Sequence, residues 1–381
     1  MHWRNNMTKL NESIKIKLVT NQMSSKINIT PFPFNINGCK RAFTTRNIEA
    51  KEISTLLTGE IKPKTGDLVL CEVTRLRQHC RIELINGRRS RMFVKDKIIV
   101  CYGDRYAPDQ FESIVPDDLS ACHLVAGGGL ASKMRHKSPK VKPATEIQPI
   151  GLIGNEKGEV INVANHTILD KHHHKNLDIP LFLVAGSSMN AGKTTTVANI
   201  IKGLVADGYQ VGAAKVTGTG SGGDLWHFID AGVKTAIDFT DAGYVSTYRV
   251  EMSKLITAFQ DMVMHLQAQA VDVIVIEVAD GLLQQETQQL LCSNKVQQAT
   301  SGVFYSAGDS SSSIYGSKWL QQQGYNVIGV SGVVSSNPLA KSEVEKNLTI
   351  PVFKKADLMQ AGFGHQLVEN FKPSGNSVLT N

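Results

Sequence analysis

Ten consecutive residues, Gly186-Ser187-Ser188-Met189-Asn190-Ala191-Gly192-Lys193-Thr194-Thr195, carry the groups needed to hold a polyphosphate. An apolar run over 181–185 precedes them and a helix-compatible run over 195–206 follows. In that order, backbone N–H groups of the loop and of the first helical turn converge on phosphate oxygens. Lys193 reaches the outer phosphates as a point charge, and the Thr194 hydroxyl is placed to hold Mg²⁺. Gly186, Asn190, Ala191, Gly192 and Thr195 make up the rest of the cradle. The competing reading, an ordinary glycine turn before a helix, leaves the order of strand, loop, Gly-Lys-Thr and helix unexplained. Five residues separate Gly186 from Gly192, where the common phosphate loop has about four.

A phosphate loop needs further metal ligands. The run Val271-Asp272-Val273-Ile274-Val275-Ile276-Glu277 is an apolar strand ending in an acid, which brings Glu277 to the Mg²⁺. Asp280, just before Gly281, is the alternative ligand. A second segment, from Lys215 through Thr217-Gly218-Thr219-Gly220 to Asp224, is rich in glycine and hydroxyls. Its glycines permit close backbone approach to an anion. Asp224 is the candidate second metal ligand, and Lys215 would neutralise charge developing on a transferred phosphoryl group. The rival for this segment is a solvent loop. Ser306-Ala307-Gly308-Asp309, ahead of Ser310 to Ser313, reads first as a helix cap and otherwise as a contact to substrate.

The long phosphate loop resembles that of dethiobiotin synthetase and its relatives, which reads Gly, five residues, Gly-Lys-Thr. Lys215, Asp224 and Glu277 match in order that enzyme's strand-end lysine, metal-binding aspartate and later strand-end glutamate. A closer resemblance is to a dethiobiotin-synthetase-like P-loop family of unknown function. Its members carry Thr-Gly-x-Thr-Gly and Asp-Phe-x-x-Gly segments; Val216-Thr217-Gly218-Thr219-Gly220 and Asp238-Phe239-Thr240-Asp241-Ala242-Gly243 are similar to them. The resemblance covers roughly residues 180–355. It implies ATP rather than GTP, Mg²⁺, γ-phosphoryl transfer to a small acceptor such as a carboxylate, and a homodimer. It also implies an adenine-reading asparagine after the strand over 325–331, here Asn337, although Asn337-Pro338 is equally a turn signal. Two departures matter. The relatives follow the strand-end glutamate with glycine, whereas Val278 stands here. Dethiobiotin synthetase is also a single domain, so its biotin chemistry is not carried over.

The elements that must position these residues are alternating. Strand-like runs cover 181–185, 209–215, 271–278, 302–306, 325–331 and 350–353. Helix-like runs cover 195–206, 252–269, 284–291 and 311–323. Repeated βα units imply an α/β fold with a mostly parallel sheet and helices on both faces. Ligands collect at the C-terminal edge of such a sheet. Ahead of it, β-rich runs over 67–73, 80–85 and 97–102, with the hairpin signal Asn86-Gly87, suggest a small barrel or sandwich. A glycine turn at 126–129 then leads into what reads as a flexible basic arm with Arg135, His136, Lys137, Lys140 and Lys142. Short strands follow over 150–153 and 159–163. The division expected is an N-terminal tail and irregular segment (1–60), a basic β-rich domain (61–165), a linker (166–179), a P-loop domain (180–360) and a C-terminal tail (361–381). Lys171-His172-His173-His174-Lys175 reads as a polar hinge.

At 381 residues the chain has room for two or three domains. Its formal charge of +7 is concentrated: residues 62–142 hold sixteen Lys and Arg against nine Asp and Glu. That favours an anionic partner for the first half. The aromatics there, Phe93, Tyr102, Tyr106 and Phe111, are few for nucleic-acid stacking. The six cysteines include no CxxC pair and fit reduced thiols in a cytoplasm. Cys71, Cys80 and His79 are conceivable zinc ligands, but strand cysteines are more often small core residues. No apolar run is long enough for a membrane span, and the first thirty residues lack a signal-peptide core. Two functions remain. One is an ATP·Mg²⁺-dependent enzyme acting on a small-molecule substrate. The other is a nucleotide-driven switch or adaptor, using ATP or GTP, whose basic domain grips a nucleic acid or protein.

Overall fold

The computed structural model describes residues 27–169 and 177–371. The N-terminal basic tail and the histidine run at 171–175 lie outside the described residues.

The first half is built on β1 (Ile27–Pro31), β2 (Lys40–Arg41), β3 (Thr55–Gly59), β4 (Leu68–Arg75), β5 (Arg81–Glu83), β6 (Arg89–Arg91), β7 (Lys97–Tyr102), β8 (Arg105–Tyr106), β9 (Phe111–Ile114), β10 (Cys122–Ala126), β11 (Leu130–Lys137) and β12 (Thr145–Gly154). Five of them close on themselves: β12 pairs β4, β4 pairs β7, β7 pairs β11, β11 pairs β10 and β10 returns to β12. The result is a small barrel. Alternation along β4 shows why it holds. Val69, Cys71 and Val73 pack with Val100, Tyr102, Leu124 and Ile147. Leu68 and Leu70 point the other way, onto Cys39, Ile48, Ile53 and Leu56. The segment before residue 61 therefore covers one face of the barrel, and β1 and β3 extend its sheet.

The glycine turn and basic arm expected over 126–142 fold differently. Ala126 to Leu130 is a hairpin turn, and the basic residues Lys133 and Lys137 lie on β11, paired in register with Ile114 and Phe111 of β9. The composition is polar because this half of β11 is exposed on its side chains, while its backbone is held by the ladder. The run over 159–163 forms no strand of its own and makes two isolated bridges, Gly154 with Val160 and Asp67 with Asn162.

The second half is a six-stranded, all-parallel sheet in the order β15-β14-β16-β13-β17-β18. Its strands are β13 (Leu181–Gly186), β14 (Val211–Lys215), β15 (Thr235–Asp238), β16 (Val273–Glu277), β17 (Gly302–Ser306) and β18 (Val327–Ser331). The helices are α1 (Lys193–Ala206), α2 (Gly223–Asp230), α3 (Met252–Ala268), α4 (Gln285–Leu291), α5 (Asn294–Ala299), α6 (Ser310–Gln322), α7 (Pro338–Asn347), α8 (Lys355–Leu358) and α9 (Phe363–Asn370). Phe182 and Val184 face α1 through Val197, Ile200, Ile201 and Leu204. Leu181, Leu183 and Ala185 face α3 and α4 through Phe259, Met262 and Leu290. Each fully buried aliphatic side chain of this kind contributes about 1.5–3 kcal/mol. The run over 350–353 contributes a single bridge, Val330 with Val352, instead of a seventh strand.

The two halves are latched together. Arg46, from the segment covering the barrel, lies 3.1 Å from Asp238 and 2.6 Å from Asp241, with its guanidinium 4.0 Å over the Phe43 ring. Asn47 Nδ2 donates to Asp241 at 3.1 Å. The Asp-Phe-x-x-Gly-like segment therefore grips the barrel domain. Gly220 of the glycine-rich segment packs so closely on the barrel's turn that a Cβ on Gly128 would sit 2.1 Å from the Gly220 carbonyl oxygen.

Candidate functional site

The phosphate loop hangs from the end of β13, between its neighbours β16 and β17. Gly192 adopts φ +99, which favours glycine, and a Cβ there would lie 2.9 Å from Cα of Gly332. The loop is thereby packed on the turn that follows β18, where Val333 N–H donates to the Ala191 carbonyl at 3.1 Å. Ser187 N–H donates to Ser306 at the tip of β17. Helix α1 starts at Lys193, so its first-turn N–H groups, which have no intrahelical partners, face the loop. Lys193 is 5% exposed, and its Nζ donates to the Ser188 carbonyl at 2.8 Å. Burial lowers its pKa, and Glu277 and Asp280 act against that.

Helix α2 and strand β16 bring the other metal candidates to this helix. Thr194 Oγ1 is 3.0 Å from Asp224 Oδ1 and 3.2 Å from Glu277 Oε1. Lys215, at the tip of β14, pairs directly with Asp224 and lies 3.7 Å from Glu277 Oε1. Burial pulls the Lys215 pKa down, but Asp224 and Glu277 outweigh it and leave it raised. For Asp224 burial is likewise outweighed, by Lys215 and by its hydrogen bonds to Lys215 and Thr194, so it is held low. At Glu277 burial prevails and the pKa is raised, with Lys215 opposing. Glu277 is 1% exposed, and its Oε2 has no hydrogen-bond partner among the described residues. An orphaned buried carboxylate oxygen costs about 1–3 kcal/mol or more, which a cation would relieve. No group of three His, Cys, Asp or Glu that could hold a metal comes together among the described residues. One hydroxyl and two carboxylates suit Mg²⁺, which keeps waters and takes phosphate oxygens as its other ligands. The residues fit that ion.

Lys193, Thr194, Lys215, Asp224 and Glu277 line one hollow of about 360 Å³, together with Asn190, Gly192, Thr195 and Asp280. Gly186 lies behind it, where a Cβ would meet the Lys193 stem at 2.7 Å. Ala191 is buried and Asn190 adopts φ +66. On the far side of the loop, Gly192 and Thr195 also line a hollow of about 440 Å³ with Gly332, Ser335, Ser336 and Lys354. Asn337 is not among its lining residues. Its side-chain oxygen accepts from Leu339 N–H at 3.0 Å and Ala340 N–H at 3.4 Å, so it caps α7. Asp309 caps α6 through Ser312 N–H at 2.8 Å. Cys71 is buried in the barrel and Cys80 is exposed, so no zinc set forms from them with His79.

The barrel domain contributes residues that spacing in the sequence does not single out. Glu83, 3% exposed at the end of β5, accepts from Ser221 Oγ, Gly222 N–H and Trp226 Nε1 at 3.0–3.1 Å. It caps α2, the helix that carries Asp224. A carboxylate at that end is also stabilised by the positive pole of the helix dipole. Asp109 accepts from Asn190 Nδ2 at 2.9 Å, so the loop after β8 touches the phosphate loop itself. Between the domains lies a cleft of about 670 Å³, whose lining includes His79, Arg81, Arg89, Arg105, Lys142 and Asp280. Lys215, Asp224 and Asp280 line both this cleft and the phosphate-loop hollow, so the two are continuous. The only signal for this in the sequence was the charge excess over 62–142.

No protein-family model matches the chain, and no curated protein sequence matches it. Solved structures with partial likeness include the signal recognition particle receptor FtsY from Elizabethkingia anophelis, at 16% identity and a TM-score of 0.31, covering 56% of this chain and 75% of that one. A structure of the same receptor in complex with GDP has 14% identity and a TM-score of 0.33, covering 56% and 69%. FtsY from Mycoplasma mycoides has 14% identity and a TM-score of 0.32, covering 52% and 70%. By its own geometry, a parallel sheet with a glycine-lysine-threonine loop at the tip of a central strand, the second half of this chain has a P-loop nucleotide-binding fold. No helix among the described residues is long and apolar enough to cross a membrane.

Proposed function

We propose that the chain is an ATP·Mg²⁺-dependent enzyme that transfers the γ-phosphoryl group to a small acceptor, or releases it to water. The observation that carries this reading is that Thr194 Oγ1 has a carboxylate oxygen of Asp224 at 3.0 Å and one of Glu277 at 3.2 Å, beside Lys193 and Lys215, with Glu277 Oε2 left without a hydrogen-bond partner among the described residues. Bound Mg·ATP would supply the phosphoryl group and a divalent charge. Thr194, Asp224 and Glu277 hold the ion. Lys193 stabilises charge on the outer phosphates, and Lys215 does so from the acceptor side. A carboxylate acceptor needs no base. A hydroxyl acceptor would hand its proton to Asp280, which stands where the hollow opens into the cleft.

The 440 Å³ hollow beyond Thr195 is the place for the base. Guanine presents two adjacent donors that call for a carboxylate, and among the described residues no Asp or Glu lines this hollow. That supports adenine. Kinship with dethiobiotin-synthetase-like proteins is part of the same reading and concerns the P-loop domain alone. A thermal-shift titration tests it: Mg·ATP raises Tm more than Mg·GTP does, and Lys193→Ala abolishes the rise. No response to either purine triphosphate refutes it. A metabolite screen for stimulated phosphate release then identifies the acceptor class.

A second reading is a nucleotide-driven switch. It is favoured by the bonds that Asn190 donates to Asp109 and Gly222 N–H donates to Glu83, which tie the barrel to both sides of the phosphate site. Phosphate release stimulated by a polynucleotide, with steep salt dependence, would select it.

A further inference from the structure

Burying a guanidinium without a counter-ion is expensive, because its charge loses hydration that nothing replaces. Arg105 is 5% exposed. Its Nη1 donates to the Val125 carbonyl and lies 3.5 Å from His79 Nε2, and its Nε has no partner among the described residues. Burial lowers its pKa to about 10, with the more distant Asp280 acting the other way. His79 is no counter-ion: burial, then Arg105, pushes its pKa down to about 4, so it is neutral at pH 7.

The other charges around the cleft do not compensate. Of the carboxylates, Glu83 is committed to the cap of α2 and Asp224 to Lys215, leaving Asp280. Of the cations, Arg77 is paired with Glu146 at 2.9 Å. Arg81, Arg89, Lys142 and Arg105 line the cleft without an ion pair among the described residues. The cavity is therefore lined with surplus positive charge and counts one buried guanidinium, with an unpartnered Nε, among its lining groups.

We infer that this cleft binds the acceptor, and that the acceptor is a small polyanion bearing carboxylate or phosphate groups, anchored by Arg105 and met by Arg81, Arg89 and Lys142. The inference rests on the reading of the adjoining hollow as the nucleotide site. A volume of about 670 Å³ suits a metabolite. Among the described residues no Phe, Tyr or Trp lines the cleft, so they offer no stacking platform for a nucleic-acid base. Lys215 and Asp280, shared by both hollows, place the acceptor's reactive end beside the terminal phosphate.

The test uses the full chain with its phosphate loop blocked in two ways: wild type saturated with a non-hydrolysable Mg·ATP analogue, and the Lys193→Ala variant. Inorganic phosphate, succinate and glycerol 3-phosphate are titrated by calorimetry in each. At least one of them is expected to bind both forms with the same affinity within a factor of three. The variant Arg81→Ser/Arg89→Ser/Lys142→Ser, at exposed or half-buried positions that do not threaten folding, is expected to weaken that binding at least tenfold, as is Arg105→Gln if it folds. No binding of any probe to analogue-saturated wild type overturns the inference and leaves the nucleotide reading standing. Probe binding to a wild type that takes no nucleotide does the reverse. Tight binding of a single-stranded RNA oligomer, lost in the triple variant while the small anions are not bound, assigns the charge to a polymer and also overturns it.

Discussion

The two hollows that meet at Asp280 are built on opposite electrostatic plans. In the phosphate-loop hollow the charges answer one another: Lys215 lies between Asp224 and Glu277, and Lys193 is bonded to its own loop. In the cleft Arg81, Arg89, Lys142 and Arg105 have no such partners among the described residues, and Arg105 is held by a carbonyl, a neutral imidazole and the Phe111 ring. Internal pairing keeps the first site ordered before any ligand arrives. The second is completed only by what enters it. The first is lined by one domain and braced from outside by Glu83 and Asp109 of the other; the second is lined by both.

Perturbing each side should expose this difference. The largest effect belongs to Lys193→Ala, which should weaken Mg·ATP binding at least 100-fold by calorimetry while leaving small-anion binding in the cleft unchanged; loss of both would mean that the two hollows are one site. Next is Glu83→Gln. It replaces a charged acceptor of three hydrogen bonds with a neutral one at the start of α2, and should cost about 1.5–3 kcal/mol in denaturant unfolding. Because α2 carries Asp224, the Mg²⁺ concentration for half-maximal turnover should also rise, an effect that general destabilisation would not produce.

A smaller effect is pH-dependent and belongs to the cleft. His79 titrates near 4 in the folded chain against 6.5 for a free imidazole. Between those values the unfolded chain binds a proton that the folded one refuses, so this residue makes stability fall as pH drops from about 6.5 to about 4. His79→Gln should flatten that part of the Tm–pH curve and leave the region above pH 7 alone. The smallest effect is Asn337→Ala: about 1 kcal/mol of stability from the lost cap, with no change in preference between ATP and GTP. A reversed preference would restore Asn337 to a role with the base.

Much of the nucleotide half was legible because its chemistry is local. A phosphate loop is a strand, a turn of fixed length and a helix start, all within some fifteen residues. Lys215 and Glu277 could be placed because parallel strands deliver their C-terminal ends to one edge of a sheet, whatever their separation in the chain. Asn337 shows where such reasoning stops: a side chain that can read a base can equally satisfy two backbone N–H groups, and only the geometry of α7 shows that it does the latter. The basic residues over 133–137 misled in the same way, since composition records side chains and not the backbone ladder that holds them to β9.

Sequence alone determined that this chain has a phosphate loop with its lysine, its threonine and the acids that follow strands, because those groups are set by short-range spacing. Tertiary structure alone decided that Glu83 caps the helix of Asp224, that Arg46 clamps Asp238 and Asp241, and that Arg105 is buried without a counter-ion. Each of these joins residues more than a hundred positions apart or depends on what a whole domain excludes from water. Charge, burial and distance at such a boundary are properties of the packed molecule and leave no periodic trace in the chain.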